Sequence, residues 1–208
     1  FDRRRFLAAA GVAAGWHIVP RSVLGGVGQT PPSEKLNIAG IGVGGQGGGV
    51  VRQLSAQEQN IVALCDVDAR YAAHTFKAFP QAEVFRDYRV LLDQLRDVDA
   101  VVISTPDHWH AKPAIDAALA GKDVYLQKPA SLTIAEGRLM SDVMHRTGRV
   151  FQLGTQQRSS EQFRRACELV RNGRIGRVHA VTIGLPVDPS GDEVGLTEEA
   201  RLSATIRL

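Results

Sequence analysis

The sequence predicts an α/β fold in which helices cover both faces of a doubly wound parallel sheet. Three observations predict it: short apolar runs alternate with amphipathic segments of helical length, each run is continuously apolar, and a glycine-rich stretch follows the first run. Alternation of strands and helices favours parallel pairing through right-handed crossovers. Continuously apolar strands are typical of a sheet that is buried on both faces.

The predicted elements follow from these runs and from apolar residues at spacings of three and four. The strands are Leu36–Ile41, Ile61–Cys65, Ala100–Ser104, Asp123–Leu126 and Val150–Leu153. The helices are Gly45–Leu54, Ala69–Phe79, Tyr88–Leu95, His110–Ala120 and Thr133–Thr147. In the last helix, Thr133 and Glu136 have the spacing of a capping box, so Glu136 is assigned to structure.

The glycine-rich stretch between the first strand and the first helix fits the pattern G-x-G-x-x-G. Gly42 permits a tight turn, Gly44 lets a diphosphate approach the backbone, and Gly47 lets the helix pack against the strand. Gly45 lies between them, and the helix N-terminus offers free amides to phosphate. The stretch therefore predicts a Rossmann-type dinucleotide site, the alternative being a flexible glycine loop.

Asp66 follows the second strand, 24 residues after Gly42. A carboxylate at this place can accept hydrogen bonds from the ribose hydroxyls of adenosine. It also repels a 2′-phosphate, so NAD is the predicted cofactor, with NADP as the alternative because Arg70 is close in sequence. A helix cap is the other role open to Asp66, and Asp68 competes for that role.

Two loops after later strands carry polar residues at the edge where such folds bind ligands. Thr105, Pro106 and His110 follow the third predicted strand, and they suit either a capped helix start or a polar loop that faces a nicotinamide. Gln127 and Lys128 follow the fourth. Lys128 can donate a proton or a hydrogen bond to a hydroxyl or carbonyl that is oxidised or reduced; the alternative is a surface lysine.

Several stretches in combination resemble the N-terminal domain of the Gfo/Idh/MocA oxidoreductases, and the resemblance extends over about residues 35–184. The matching stretches are 36–47, the strand that ends before Asp66, 98–110, 120–129, 151–158 and 173–178. The resemblance implies a domain that binds NAD or NADP, here residues 35–156, and a following substrate domain. It also implies hydride transfer at a hydroxyl-bearing carbon of a sugar or cyclitol.

The resemblance also implies roles for individual residues. Lys128 would be the catalytic residue that hydrogen-bonds the reacting oxygen near the nicotinamide. Gln127 stands where the family has a glutamate, which removes a negative charge beside that lysine. The remaining implied positions are Thr105, Pro106 and His110 along the cofactor, Gln156 near the nicotinamide and Arg158 at the substrate entrance.

Residues 157–208 are predicted to form only the stump of the second, substrate domain, with an irregular tail after Gly184. Two alternatives to a dehydrogenase stay open. One is an NAD-binding fragment without catalytic competence, and the other is an NAD-dependent glycosidase or epimerase in which the hydride leaves and returns. The Lys128-Pro129 pair favours the dehydrogenase. For the full-length parent, the resemblance implies a homo-oligomer.

Residues 1–34 are predicted to be an export signal and linker. Arg3-Arg4-Arg5-Phe6-Leu7 resembles the twin-arginine motif. The apolar stretch Phe6–Val19 has about 14 residues, whereas about 20 are needed to span a bilayer. We therefore expect recognition by the twin-arginine machinery, a periplasmic or extracellular location and no integral membrane domain, the alternative being an amphipathic first helix.

Charge and cysteine content exclude other classes. Residues 1–30 hold four arginines and one aspartate, which accounts for the net charge of +3. The other 178 residues are neutral, since 25 − 4 leaves 21 basic and 22 − 1 leaves 21 acidic side chains. Nucleic-acid binding is therefore not predicted. Cys65 and Cys167 are expected to be buried free thiols, and two histidines at 108 and 110 without further ligands predict no metal site.

Overall fold

The computed structural model describes residue 31, residues 34–184 and residues 203–207, of which residues 183, 184 and 203–207 are described by backbone alone. The chain divides after Gly154 into two compact units. The predicted export motif lies outside the described residues. Within the described part of the chain, no helix has the length and apolar character needed to cross a membrane.

The first unit alternates strands and helices as the sequence predicts. Its strands are β1 (Asn37–Ile41), β2 (Asn60–Cys65), β3 (Glu83–Phe85), β4 (Ala100–Ile103), β5 (Asp123–Gln127) and β6 (Phe151–Gly154). Its helices are α1 (Gln46–Ala56), α2 (Ala73–Ala78), α3 (Tyr88–Gln94), α4 (Ala111–Leu119) and α5 (Ile134–Thr147). A 3₁₀ turn, Asp107–Trp109, precedes α4.

The six strands form one parallel sheet in the order β3-β2-β1-β4-β5-β6. Strand order reverses between β1 and β4, and folds of this kind bind ligands in the crevice at that switch point. The sequence analysis misses β3, because its three residues at the sheet edge are too few for a periodic pattern and include an exposed Val84. The predicted α/β fold with a doubly wound parallel sheet is confirmed.

Two apolar clusters cover the two faces of the sheet. Val51 of α1 packs with Val43 and Leu64 on one face, and a larger cluster that includes Ile103 and Leu126 lies on the opposite face with α3, α4 and α5. All five side chains are fully buried. Each contributes about 1.5–3 kcal/mol through removal of apolar surface from water, so the sheet is a rigid support for the loops at its edge.

Local signals set the helix ends. Thr133 and Glu136 form the predicted capping box at the start of α5, and Gly148 ends that helix in a left-handed conformation with φ +65°. Asp87 caps α3 through the N–H of Arg89. Hydrogen bonds from the side chain and then the backbone of Arg89 lower the pKa of Asp87 to about 2. These ends fix where each loop leaves the sheet.

The second unit contains a 3₁₀ turn, Gln156–Ser159, then α6 (Glu161–Arg171) and strands β7 (Ala180–Gly184) and β8 (Ser203–Arg207). Strands β7 and β8 pair antiparallel. The strand at 203–207 differs from the irregular tail expected after Gly184. Its five residues are too short a run to stand out from the polar, turn-rich sequence before them, and only pairing with β7 makes the strand.

Candidate functional site

The glycine loop between β1 and α1 is packed so closely that two of its glycines, Gly42 and Gly47, have no room for a side chain of their own. Gly42 has φ +80°, and a Cβ there would lie 2.7 Å from the backbone N of Thr105. A Cβ at Gly47 would lie 2.2 Å from the carbonyl oxygen of Gly42 and 2.9 Å from Cβ of Ser104. The loop therefore rests directly on the end of β4, as the roles predicted for Gly42 and Gly47 require.

The N-terminus of α1 faces this loop without a cap. Gly45 precedes the helix, no side chain caps it, and the first turn has no acidic residue. The first amides of a helix have no partner within it, and the helix dipole adds partial positive charge. An uncapped terminus behind a glycine loop is a binding site for an anion such as a diphosphate.

Asp66, at the end of β2, faces the glycine loop. Its Oδ2 accepts the N–H of Gly44 at 2.8 Å, and its Oδ1 accepts the N–H of Asp68 at 3.0 Å. Asp68 instead holds the turn before α2, since its Oδ1 accepts the N–H groups of Arg70 and Tyr71, and no side chain caps α2 itself. These backbone hydrogen bonds, that of Tyr71 first, lower the pKa of Asp68. Asp66 is therefore available to the crevice.

Tyr71 covers part of the loop, and the sequence analysis misses it. A Cβ at Gly44 would lie 2.2 Å from Cδ1 of Tyr71, and one at Gly45 would lie 3.1 Å from its hydroxyl. The side chain is 64% exposed, so it can turn away from Gly44 at little cost in packing. No periodicity or motif points to Tyr71, because only the turn after β2 brings it over the loop.

His110 joins the loops after β4 and β5. Its Nε2 contacts the carbonyl oxygen of Thr105 at 2.8 Å, its Nδ1 contacts the carbonyl oxygen of Pro129, and the residue is 1% exposed. The Thr105 hydroxyl donates to the carbonyl of Trp109 at 3.0 Å. Both ring nitrogens of His110 are thus occupied by protein. These contacts link the loops after β4 and β5, and Pro106 is exposed. The places of Thr105, Pro106 and His110 along a cofactor stay predictions.

Gln127 and Lys128 end β5 at the same edge of the sheet. Gln127 is 5% exposed, and its Oε1 accepts the N–H of Lys128 at 2.8 Å. The Lys128 side chain is exposed, and within the described part of the chain its Nζ has no hydrogen-bond or ion-pair partner. A free ammonium at a strand end can hold the oxygen of a ligand.

Two buried polar atoms at this edge have no hydrogen-bond partner among the described residues: Oγ of Ser104 and Nε2 of Gln127. Buried polar groups are normally paired, so each unpaired one requires an explanation. Together these features fit a dinucleotide. The glycine loop and the uncapped helix fit its diphosphate, and Asp66 and the two unpaired atoms fit polar groups on either side of the diphosphate.

The other two predicted positions lie in the second unit. Gln156 and Arg158 belong to its 3₁₀ turn, and both are exposed. Their predicted roles at the nicotinamide and at the substrate entrance stay predictions.

The cysteines and metal-binding residue types carry no site in the described part of the chain. Burial, then the charges of Asp66 and Asp87, raises the pKa of Cys65 to about 12, so its thiol is not a nucleophile at neutral pH. Cys167 is free but exposed, which differs from the expected burial because α6 has no buried residue. No three His, Cys, Asp or Glu residues of the described part lie together as a metal site would need.

Comparison with known proteins identifies the first unit. The model of the Gfo/Idh/MocA family, described as "Oxidoreductase family, NAD-binding Rossmann fold", matches residues 36–155. A glycosyl hydrolase family 109 protein from Shewanella sp. (strain ANA-3) is 35% identical over an alignment of 165 residues, covering 65% of this chain and 35% of that protein. An uncharacterized oxidoreductase from Rhizobium meliloti is 33% identical over 129 residues, covering 62% of this chain and 38% of that protein.

Solved structures give the same fold. Myo-inositol 2-dehydrogenase from Lactobacillus plantarum superposes with a TM-score of 0.66 and 28% identity, covering 73% of this chain and 45% of that one. Scyllo-inositol dehydrogenase from Lactobacillus casei, with bound NAD(H) and scyllo-inositol, gives 0.63 and 28%, covering 72% and 46%. The chain thus spans about a third of the length of the curated relatives named above and just under half of these structures.

Proposed function

This chain belongs to the Gfo/Idh/MocA oxidoreductase family and contains its NAD-binding Rossmann domain, and from that premise we propose that it serves an NAD-dependent dehydrogenase of sugars or cyclitols. The observation that carries the proposal is the uncapped N-terminus of α1 behind a glycine loop in which Gly42 and Gly47 have no room for a Cβ, with Asp66 directed at Gly44. The inositol dehydrogenases of similar fold support the substrate class.

Different residues of the crevice would bind different parts of NAD. The amides at the start of α1 would hold the diphosphate, with the backbone of Gly44 and Gly45 in close approach. Each oxygen of Asp66 accepts one backbone N–H and keeps a further lone pair. The carboxylate can therefore accept from two ribose hydroxyls without giving up either loop contact, and its charge disfavours a 2′-phosphate.

Lys128 would act on the substrate. NAD, when bound, supplies the hydride acceptor, and the protein supplies position and charge. The ammonium of Lys128 can donate a hydrogen bond to the reacting oxygen and stabilise negative charge that develops on that oxygen. The backbone N–H of Lys128 donates to Oε1 of Gln127 at 2.8 Å. This bond holds the backbone from which the Lys128 side chain extends.

The test measures both NAD binding and hydride transfer to NAD. Native mass spectrometry and calorimetry of the chain with NAD measure binding, and NADH absorbance with myo-inositol, scyllo-inositol and aldoses measures hydride transfer. Lys128→Ala should abolish NADH formation and leave the Kd for NAD within a few-fold, whereas Lys77→Ala on the exposed end of α2 should change neither. A chain that does not bind NAD would refute the proposal. If the chain binds NAD but turns over no polyol, the result would favour the alternative that it is an NAD-binding fragment without catalytic competence.

A second candidate is an NAD-dependent glycosidase or epimerase, in which the hydride leaves and returns. It is favoured by relatives named as glycosyl hydrolase family 109 proteins, and by one from Shewanella oneidensis named alpha-N-acetylgalactosaminidase, 34% identical over 173 residues. The assay measures release of nitrophenol from nitrophenyl α-N-acetylgalactosaminide. Release that requires NAD but forms no net NADH would select this candidate over the dehydrogenase.

We also propose that residues 1–34 direct export through the twin-arginine machinery to the periplasm or beyond, on the motif Arg3-Arg4-Arg5-Phe6-Leu7 alone. Fusion of residues 1–34 to a folded reporter tests this. The reporter should be exported, and replacing both Arg3 and Arg4 with lysine should stop it, while a reporter that stays inside in both cases would refute it. We further propose, on the family resemblance alone, that the full-length protein is a homo-oligomer; light scattering measures this, and a monomer would refute it.

A further inference from the structure

The two unpaired polar atoms at the edge of the sheet belong to neighbouring positions of neighbouring strands. Strands β4 and β5 pair in register, with Ile103 beside Leu126. One residue further along each strand come Ser104 and Gln127, whose Oγ and Nε2 are buried without a partner. Adjacent strands are about 4.8 Å apart, so one small polar group can contact both side chains.

Alternation along the strands sends both side chains to the same face of the sheet. Ile103 and Leu126 belong to the large cluster under α4 and α5, so Ser104 and Gln127 point to the opposite face, where the glycine loop lies. Ser104 adjoins that loop, since its Cβ would lie 2.9 Å from a Cβ at Gly47. On the other side of Gln127, β6 contributes Gly154, and the Tyr125 ring lies over that glycine, with its hydroxyl 2.6 Å from the place of a Cβ. The pair thus lies between the start of α1 and the Tyr125 ring.

The hydrogen-bonding chemistry of the pair is fixed. Oε1 of Gln127 accepts the N–H of Lys128, and turning the amide over would place two donors against each other. Nε2 is therefore the donor that remains unpaired, and a ligand must offer it an acceptor. The Ser104 hydroxyl can accept or donate. Both atoms are shielded from water, so a neighbouring side chain such as the half-buried Tyr125 must move aside to admit a ligand.

A primary carboxamide presents one acceptor, its carbonyl oxygen, and one donor, its NH₂ group, side by side. We propose that Ser104 and Gln127 bind the nicotinamide carboxamide, with Nε2 of Gln127 donating to the carbonyl and Oγ of Ser104 accepting from the NH₂ group. The inference rests on the proposed function and deepens it. It makes Ser104 a cofactor-positioning residue and gives Gln127 a role that the family's glutamate, which has no donor at neutral pH, cannot perform in the same way.

The experiment measures the Kd of NADH and of reduced 3-acetylpyridine adenine dinucleotide, in which a methyl group replaces NH₂, by fluorescence or calorimetry. The ratio of the two Kd values is the readout, and it needs no turnover. One hydrogen bond contributes about 1 kcal/mol, or roughly fivefold, so the wild-type chain should bind NADH about fivefold more tightly. In Ser104→Ala the ratio should fall to about one. Without the Ser104 hydroxyl, the NH₂ group of NADH makes no hydrogen bond that the methyl group of the analogue lacks.

Gln127→Glu should move the ratio in the opposite direction. It keeps the oxygen that accepts from Lys128 and replaces the unpaired donor with an acceptor. The carboxamide can turn over and give its NH₂ group to the carboxylate, but the acetyl group has no donor to give. A buried carboxylate without a donor is costly, so the ratio should rise at least fivefold above the wild-type value. The exposed Gln94→Glu on α3 is the matched control and should keep the wild-type ratio.

The outcomes separate the two proposals. If the wild-type chain binds neither dinucleotide, the proposed function fails, and this inference fails with it. If NADH binds but both variants keep the wild-type ratio, the polar pair serves the fold or a water molecule, and the inference alone is overturned. The two variants are judged separately by circular dichroism and thermal unfolding, so that either one, if folded, decides the question.

Discussion

Replacing Gly47 with alanine tests how closely α1 must approach the sheet for a dinucleotide to bind. The added Cβ would lie 2.2 Å from the carbonyl oxygen of Gly42 and 2.9 Å from Cβ of Ser104. The first contact is about 1 Å shorter than carbon and oxygen allow, and it joins a Cβ, whose position the helix backbone fixes, to a backbone oxygen. Since no flexible side chain can move aside, the N-terminus of α1 must shift away from the loop.

The expected magnitude combines two opposing effects. Overpacking of a closely packed site costs about 1–3 kcal/mol, and a clash of a Cβ with a backbone oxygen belongs at the upper end. Alanine in place of glycine in a helix gains back about 1 kcal/mol. We therefore expect Gly47→Ala to lower the free energy of unfolding by about 2 kcal/mol. A shift of about 1 Å in the amides that face the diphosphate should also weaken NAD at least tenfold.

Gly49 supplies a control in the same helix. A Cβ at Gly49 meets nothing within 4 Å, so Gly49→Ala should raise the free energy of unfolding by about 1 kcal/mol and leave the Kd for NAD unchanged. Urea unfolding and calorimetric titration with NAD measure both quantities. Equal effects of the two substitutions, or normal NAD binding by Gly47→Ala, would refute the packing argument.

Three further predictions concern single side chains. Asp66→Asn should reduce the preference for NADH over NADPH about tenfold, because the charge that repels a 2′-phosphate is lost; an unchanged ratio of Kd values would remove its ribose role. The pKa of Asp87 is lowered from 3.8 to about 2 in the folded chain. Its charged carboxylate therefore stabilises α3 fully above about pH 4, and this stabilisation is lost as pH falls through 2. The Tm difference between the wild-type chain and Asp87→Ala should therefore shrink over that range, and a constant difference contradicts this. Lys122→Met should cost about 1–3 kcal/mol in urea unfolding, since Nζ donates to the carbonyls of Arg96 and Val98 at 2.7 Å each; unchanged stability would contradict a role for these bonds.

Much of the fold could be predicted because its signals are local. Continuous apolar runs gave five of the six strands of the sheet, and the spacing of Thr133 and Glu136 gave the start of α5, because strand burial and helix capping act over a few residues. Strand β3 escaped because three residues carry no period, and β8 because its pairing with β7 depends on residues about twenty positions away.

The candidate site was predictable where a residue type is required by backbone geometry or by its order in the chain. Gly42 must adopt φ +80°, and Asp66 must follow the second strand, so both positions are readable from the sequence. Tyr71, Ser104 and the double contact of His110 were not, since each depends on which loop lies across the crevice. The exposed Cys167 shows the same limit, because helical periodicity does not tell whether a helix face is covered.

By itself, the sequence determined the parallel α/β architecture, the glycine loop and the acidic residue at the end of β2, since apolar period, backbone sterics and chain order act on near neighbours. Only the tertiary structure decided which polar atoms remain unpaired. Ser104 and Gln127 lie 23 residues apart in the chain, and the register of β4 on β5 places them side by side. Strand pairing sets that register across the whole sheet, and a hydrogen-bonding deficit exists only once packing has excluded water from both atoms.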